Sequence, residues 1–254
     1  MVVALDQDFI ASTTYTMAQV RRLMTIDRGL CSSPAAQIVD SDACVAMGNT
    51  IPPGPKGRGS VETVGDMSMY VVGKGPRAIV LVYDIMGFAP ANTQHNCDVL
   101  ANAGFLVVMP DFFRGSGRGQ EGFERPDSDV VDAELANVVL PFVKSKGGKS
   151  IGLVGFCFGG GVAARAASTG LLACVGGIHA SGLTPELAAK TKVPMMMLQA
   201  GNDPDLAPVV EALKGTDVYD KCVTRQVRKD CLSLCSVGEH CGSHRHRMPA
   251  LAEL

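Results

Sequence analysis

Tryptophan is absent and aromatic residues make up only 5% of the chain, so a stacking platform for nucleobases is not expected. Neither sign of charge is in excess. Lys and Arg number 23 against 25 Asp and Glu, a formal net charge of -2. That balance excludes broad electrostatic capture of nucleic acid or an anionic membrane. A small uncharged or acidic ligand, held by one or two local arginines, remains compatible with it. No apolar run approaches the ~18 residues that a membrane-spanning helix needs. The N-terminus has no charged stretch leading into an apolar one, so a secretory signal is not expected. An organelle transit peptide is the weaker reading of its Ser, Thr and Arg, which are interspersed with Asp6, Asp8 and Asp27. Nine cysteines, an odd number in a chain of 254 residues, argue against a disulfide framework and for a reducing, cytoplasmic setting.

What is present is a globular composition, with 46% apolar and 19% charged residues, enough to bury a sizeable core. Residues 1–50 show no sustained period and read as an N-terminal extension, poorly ordered or with a short helix near Ala18 to Ile26. The Pro- and Gly-rich stretch from Ile51 to Gly59 is a loop, and residues 51–254 read as one domain. Within it the pattern alternates. Strands are expected at Met67 to Val72, Ala78 to Tyr83, Phe105 to Met109 (stopped by Pro110), Ser150 to Gly155, Leu172 to His179 and Pro194 to Gln199. Helices are expected at Asn92 to Ala103, Asp129 to Ser145, Gly159 to Ser168 and Leu206 to Lys214. Continuous apolar strands alternating with helices predict a parallel sheet covered on both faces. From about residue 218 the periodicity fails, in an atypical C-terminal segment rich in Cys, His and Arg.

The chemistry concentrates at Gly155-Phe156-Cys157-Phe158-Gly159-Gly160. A strand, a single residue on a sharp turn and a glycine-opened helix make a nucleophile elbow, here with Cys in the usual Ser position. The glycines permit the strained turn and the close helix–strand approach. A helix N-terminus behind the sulfur is expected to favour the thiolate, the reactive form. A lone cysteine is more often a small buried hydrophobe, but the glycine pattern argues for the reactive role. A phosphate loop is disfavoured, because no Lys follows the glycines and no G-x-G-x-x-G spacing is present.

This elbow sets an order: nucleophile, then acid, then His. Asp203 follows an apolar strand and is the candidate acid, with Asp205 in reserve; the bland alternative is a solvated Asn/Asp turn. His240 is the candidate base, with His244 behind it. His179 precedes the acid in the chain and reads as a packed strand-end residue instead. In the tail, Cys231, Cys235, His240, Cys241, His244 and His246 fit zinc spacing poorly, and no metal or other cofactor is expected.

These residues resemble the dienelactone hydrolase (carboxymethylenebutenolidase) family. Val80-Leu-Val-Tyr-Asp-Ile-Met-Gly-Phe88, Asp98-Val-Leu-Ala-Asn-Ala-Gly104 and Val108-Met-Pro-Asp-Phe-Phe-Arg-Gly115 are similar to its segments, and the elbow is its most specific signature. The resemblance implies an α/β-hydrolase fold, with a mostly parallel central sheet between helices in a three-layer sandwich. It implies Cys157, Asp203 and His240 as catalytic triad and the N–H groups of Ile85 and Phe158 as oxyanion hole. Asp84 stands where the family has an acid touching the resting thiol, often a Glu one methylene longer. Arg114 lies near the family's substrate-carboxylate arginine. The expected activity is hydrolysis of a small lactone or ester through an acyl-enzyme on Cys157, in a cytoplasmic monomer or homodimer without nucleic-acid or membrane partners. A catalytically impaired pseudoenzyme or interaction protein on the same fold is the alternative, motivated by the irregular tail.

Overall fold

A computed structural model of the chain describes residues 57–200 and 203–227. The N-terminal extension, the greater part of the atypical C-terminal segment, the tail cysteines from Cys231 on, and His240, His244 and His246 lie outside the described residues.

The described chain folds around one eight-stranded sheet in the order β1-β2-β4-β3-β5-β6-β7-β8. Its strands are β1 (Ser60–Val64), β2 (Met67–Val72), β3 (Arg77–Val82), β4 (Leu106–Pro110), β5 (Ser150–Phe156), β6 (Cys174–Ile178), β7 (Met195–Ala200) and β8 (Val223–Val227). Strands β3 to β8 run parallel, and β1 and β2 form an antiparallel hairpin at one edge. The protein has the α/β-hydrolase fold, a mostly parallel sheet within a three-layer α/β arrangement. The central strands are continuous apolar runs because both of their faces are covered: Ala78 to Val82 and Leu106 to Met109 are all buried. Pro110, expected to stop β4, is instead its last residue and pairs with Met69, as a strand end tolerates a missing N–H.

The helices are α1 (Ala91–Asn102), α2 (Ser128–Glu134), α3 (Leu140–Ser145), α4 (Phe158–Ala166), α5 (Pro185–Ala188) and α6 (Ala207–Leu213). The single helix expected from Asp129 to Ser145 is divided by a π-helical turn at Leu135–Val139, where the Leu140 N–H reaches the Leu135 carbonyl. Pro141 explains the position. It has no N–H to give the preceding turn, and its ring crowds the carbonyl four residues back, so the helix widens just before it. Among the described residues no helix is long and apolar enough to cross a membrane.

Because β3, β5, β6 and β7 are parallel neighbours, the turns that follow them share one edge of the sheet. Asp84, Cys157, His179 and Asp203 all lie on those turns. In open α/β sheets, ligands bind at this carboxyl edge.

Candidate active site

Cys157 occupies the residue between β5 and α4, with φ 51° and ψ -104°. That left-handed backbone is costly for a residue with a Cβ and persists only where the surroundings hold it. Here they do. The Cys157 N–H donates to the Ile178 carbonyl at 2.9 Å, and its carbonyl accepts from Gly161 and Ser181 at 3.2 and 3.0 Å. The glycines are demanded by distance. A Cβ on Gly155 would lie 1.9 Å from the Gly159 carbonyl oxygen, and one on Gly159 would lie 2.2 Å from that of Val82.

The backbone N–H groups of Phe158 and Ile85 both reach the Cys157 sulfur, and the Asp84 carboxylate and Arg125 guanidinium act on it through their charges. The structure thus brings together Cys157, Ile85, Phe158 and Asp84, as their sequence positions imply. Asp84 is largely buried, and its Oδ1 accepts from the Met86 N–H at 2.8 Å. That bond folds the turn after β3 and aims the neighbouring Ile85 N–H.

The electrostatics differ from the expectation of a helix-favoured thiolate. Burial pushes the Cys157 thiol up, and the Asp84 charge pushes it further the same way; the N–H groups of Phe158 and Ile85, and more weakly Arg125, pull down without prevailing. Desolvation of an anion outweighs the helix N-terminus, so the resting sulfur is a neutral thiol at pH 7. Asp84→Asn removes a charge that disfavours the thiolate while keeping an oxygen for the Met86 N–H. The thiol pKa should therefore fall. Alkylation of Cys157 by iodoacetamide at pH 7 should be severalfold faster, with the rate profile displaced to lower pH. A profile identical to wild type would contradict the assigned proximity.

Arg114 does not join this group. Its guanidinium is held by Asp66 in the β1–β2 turn, at 3.0 Å, and by Glu134 at the end of α2. Asp111 explains the loop's course: its carboxylate accepts from the Tyr83 hydroxyl at 3.1 Å and the Gly115 N–H at 2.6 Å, which sets Arg114 at φ 53°. The cation near the thiol is Arg125, whose guanidinium lies 5.4 Å from the Phe158 ring centroid. Phe158 packs on Phe113 at 4.8 Å, and Phe113 on Phe123 at 5.1 Å. Phe113, Phe123 and Phe158 thus form one aromatic cluster, with Arg125 over the Phe158 ring. Sequence reading passed over Arg125 because only tertiary packing carries it there.

Asp203, beyond β7, is paired: its Oδ1 lies 2.6 Å from Nδ1 of His179. Asp203 is buried at 8% side-chain exposure, whereas His179 is 41% exposed. His179 is thus not the packed strand-end residue expected of it. Among the described residues, no group of three or more His, Cys, Asp or Glu is arranged to hold a metal ion.

Comparison with known proteins places these residues in context. The model of the dienelactone hydrolase family matches residues 68–217. An endo-1,3;1,4-beta-D-glucanase of Zea mays is 30% identical over 150 residues, which is 57% of this chain and 49% of the maize protein. A carboxymethylenebutenolidase homolog of Xenopus tropicalis is 33% identical over 94 residues, covering 33% of this chain and 38% of the frog protein. The chain thus spans half or less of the length of these relatives. A candidate dienelactone hydrolase from Klebsiella pneumoniae superposes with a TM-score of 0.50 at 18% identity, over 64% of this chain and 79% of that one. Thermogutta terrifontis esterase 2 superposes with a TM-score of 0.50 at 15% identity, over 69% and 86%. At these identities the structural likeness speaks for the fold.

Proposed function

Because the chain belongs to the dienelactone hydrolase family, a hydrolase family, we propose that it cleaves a small lactone or activated carboxylic ester through an acyl-enzyme on Cys157. The observation that carries this reading is the convergence of two backbone N–H groups, from Phe158 and Ile85, on the sulfur of a strained elbow residue. Donors that meet a resting sulfur also reach an oxygen on a carbonyl carbon bonded to that sulfur. They can therefore stabilise the oxyanion of a tetrahedral intermediate. The half-buried thiol must lose its proton before attack, and a histidine oriented by Asp203 is the group suited to take it. In the sequence that histidine is His240.

A thiolate is expelled from a tetrahedral intermediate more readily than an amide nitrogen or a simple alkoxide, so activated esters and lactones whose leaving oxygen is a stabilised enolate or phenolate suit this nucleophile best. Arg125, rather than Arg114, is the cation placed to receive an acidic group on the substrate. Its guanidinium lies over the Phe158 ring and its charge acts on the Cys157 sulfur, whereas Arg114 is engaged by two carboxylates. The reading includes a small-molecule substrate, no cofactor and a reducing, cytoplasmic setting. Free thiols at Cys97, Cys157, Cys174 and Cys222 support that setting.

Intact-mass spectrometry after mixing with p-nitrophenyl acetate tests the proposal. The expected result is one acetyl group, mapped by peptide analysis to Cys157, together with release of p-nitrophenolate beyond one equivalent. Acetyl retained on Cys157 without further turnover would favour a catalytically impaired protein. Failure to label Cys157 at all would overturn the hydrolase reading.

A further inference from the structure

Ile85 lies in the turn that leaves β3, Asp84 to Gly87, and this turn is closed from two sides. From within, the Asp84 side chain accepts from the Met86 N–H at 2.8 Å, and the Asp84 carbonyl accepts from the Gly87 N–H at 3.2 Å. From outside, the Ile85 carbonyl accepts from the Arg118 N–H at 2.9 Å. Arg118 belongs to the loop that follows β4. Ile85 thus has its N–H on the Cys157 sulfur and its carbonyl on a second loop.

The two loops meet backbone to backbone. A Cβ on Gly117 would lie 2.2 Å from the Met86 carbonyl oxygen and 2.8 Å from its carbon. One on Gly87 would lie 2.4 Å from the Ser116 carbonyl oxygen. Both glycines are buried, and a residue without a Cβ is what such an approach demands. The loop after β4 is anchored at its start as well. The Asp111 carboxylate accepts from the Tyr83 hydroxyl, which itself accepts from the Phe113 N–H at 2.8 Å. Tyr83 precedes Asp84, and its carbonyl holds the Gly159 N–H of α4 at 3.1 Å. The loop is therefore tied first to the end of β3 and then to the turn beyond it. The first tie is enough to pack the loop. The second falls on the residue of the turn whose N–H faces the sulfur.

We propose that Gly117 is a positioning residue for the oxyanion hole: its lack of a side chain lets the loop after β4 seat on Met86 and Gly87, and the Arg118 N–H then holds Ile85 with its own N–H toward Cys157. The proposal rests on the hydrolase reading. Gly117 touches no reacting atom and acts through the Ile85 backbone. Donors to an oxyanion are effective when they are held in place before the charge develops. In acylation and again in deacylation, the carbonyl oxygen becomes an oxyanion facing the Ile85 and Phe158 N–H groups. Misplacing one of them slows both steps.

The test is Gly117→Ala in the full chain. The alanine Cβ meets backbone atoms rather than a side chain that could yield, so the two loops must part and the bond from Arg118 to Ile85 is lost. With p-nitrophenyl acetate, kcat and kcat/KM should fall together by about 10²-fold, the scale of one oxyanion donor. The resting thiol gives a second reading, which a merely structural role would not move. The Ile85 N–H pulls the Cys157 thiol down, so its withdrawal should displace the iodoacetamide alkylation profile to higher pH, opposite to Asp84→Asn. Gly122→Ala is the control. It strains the same loop, at φ 74°, but meets nothing within 4 Å, and should leave the profile in place. If Gly117→Ala does not fold, Arg118→Pro removes the same N–H without adding a wedge and carries the same two expectations. Wild-type kcat with an unmoved profile in either variant would overturn the proposal, as would an equal displacement in Gly122→Ala. In the wild-type protein, an Arg118 amide that exchanges with solvent as fast as an open loop would also overturn it. Turnover persisting in Cys157→Ala would instead remove the hydrolase reading itself.

Discussion

Replacing Cys157 with alanine is expected to lower turnover of an activated ester by about 10⁴-fold or more, the scale on which removing a covalent nucleophile acts. The residual rate should come from binding and from the two N–H groups, which alanine leaves in place. The loss should be one of chemistry rather than of folding. Alanine keeps the Cβ, and Cys157 holds its backbone through its own N–H and carbonyl, not through its sulfur. Deleting one sulfur atom from a half-buried position costs about 1 kcal/mol or less. Removing the thiol also relieves its crowding by the Asp84 charge, which acts against the thiolate. An unchanged thermal midpoint with activity at background is therefore the expected pair of results. A variant that retains more than a tenth of wild-type turnover would mean that the chemistry lies elsewhere.

The second large effect is expected at Gly155. Its Cα faces the first turn of α4 so closely that an alanine Cβ would lie 1.9 Å from the Gly159 carbonyl oxygen and 2.0 Å from its carbon. No flexible side chain is available to yield, because both contacts are backbone. The helix cannot retreat freely either, since the Gly159 N–H donates to the Tyr83 carbonyl at 3.1 Å. Gly155→Ala must therefore separate α4 from β5. Overpacking of this kind typically costs 1–3 kcal/mol and sometimes more; about 3 kcal/mol or more is expected here. That is a large share of the 5–15 kcal/mol by which a domain is stable. Urea denaturation should show a midpoint lowered accordingly. Any folded fraction should be nearly inactive, because shifting α4 displaces the Phe158 N–H from the sulfur. A Gly155→Ala protein with wild-type midpoint and turnover would refute the close approach.

Local chemistry was legible in the sequence where local rules decide it. The elbow glycines, the apolar parallel strands and the turn after β3 announce themselves by spacing, and the structure brings Cys157, Asp84, Ile85 and Phe158 together. Edge strands were less visible. Ser60–Val64 and Val223–Val227 are short and polar in part, and they gain their strand character by pairing with β2 and β7. Helix α2–α3 was legible as apolar periodicity, but its π-helical turn depends on one proline. The arginines show a different limit. Arg114 and Arg125 are equally basic in sequence, and only the carboxylates of Asp66 and Glu134 and the ring of Phe158 assign them different surroundings. The contact between His179 and Asp203 was not legible, because it depends on which turns the sheet brings side by side rather than on spacing in the chain. The sheet reorders the chain, and its neighbours β5, β6 and β7 place His179 beside Asp203.

The pairing of β3 with β5 sets Arg77 opposite Ser150 and Val82 opposite Gly155. Between those strands the chain leaves to build α1, β4, α2 and α3 before it returns. Closing such a span costs entropy before any contact rewards it. The bond from Gly159 to Tyr83, and with it the strained elbow, can form only after that closure. Until then Cys157 is an ordinary flexible thiol with a pKa of about 8.5, free of the two N–H groups and of the Asp84 charge. The paired N–H donors that can hold an oxyanion therefore come to face the sulfur only once distant parts of the polypeptide have met.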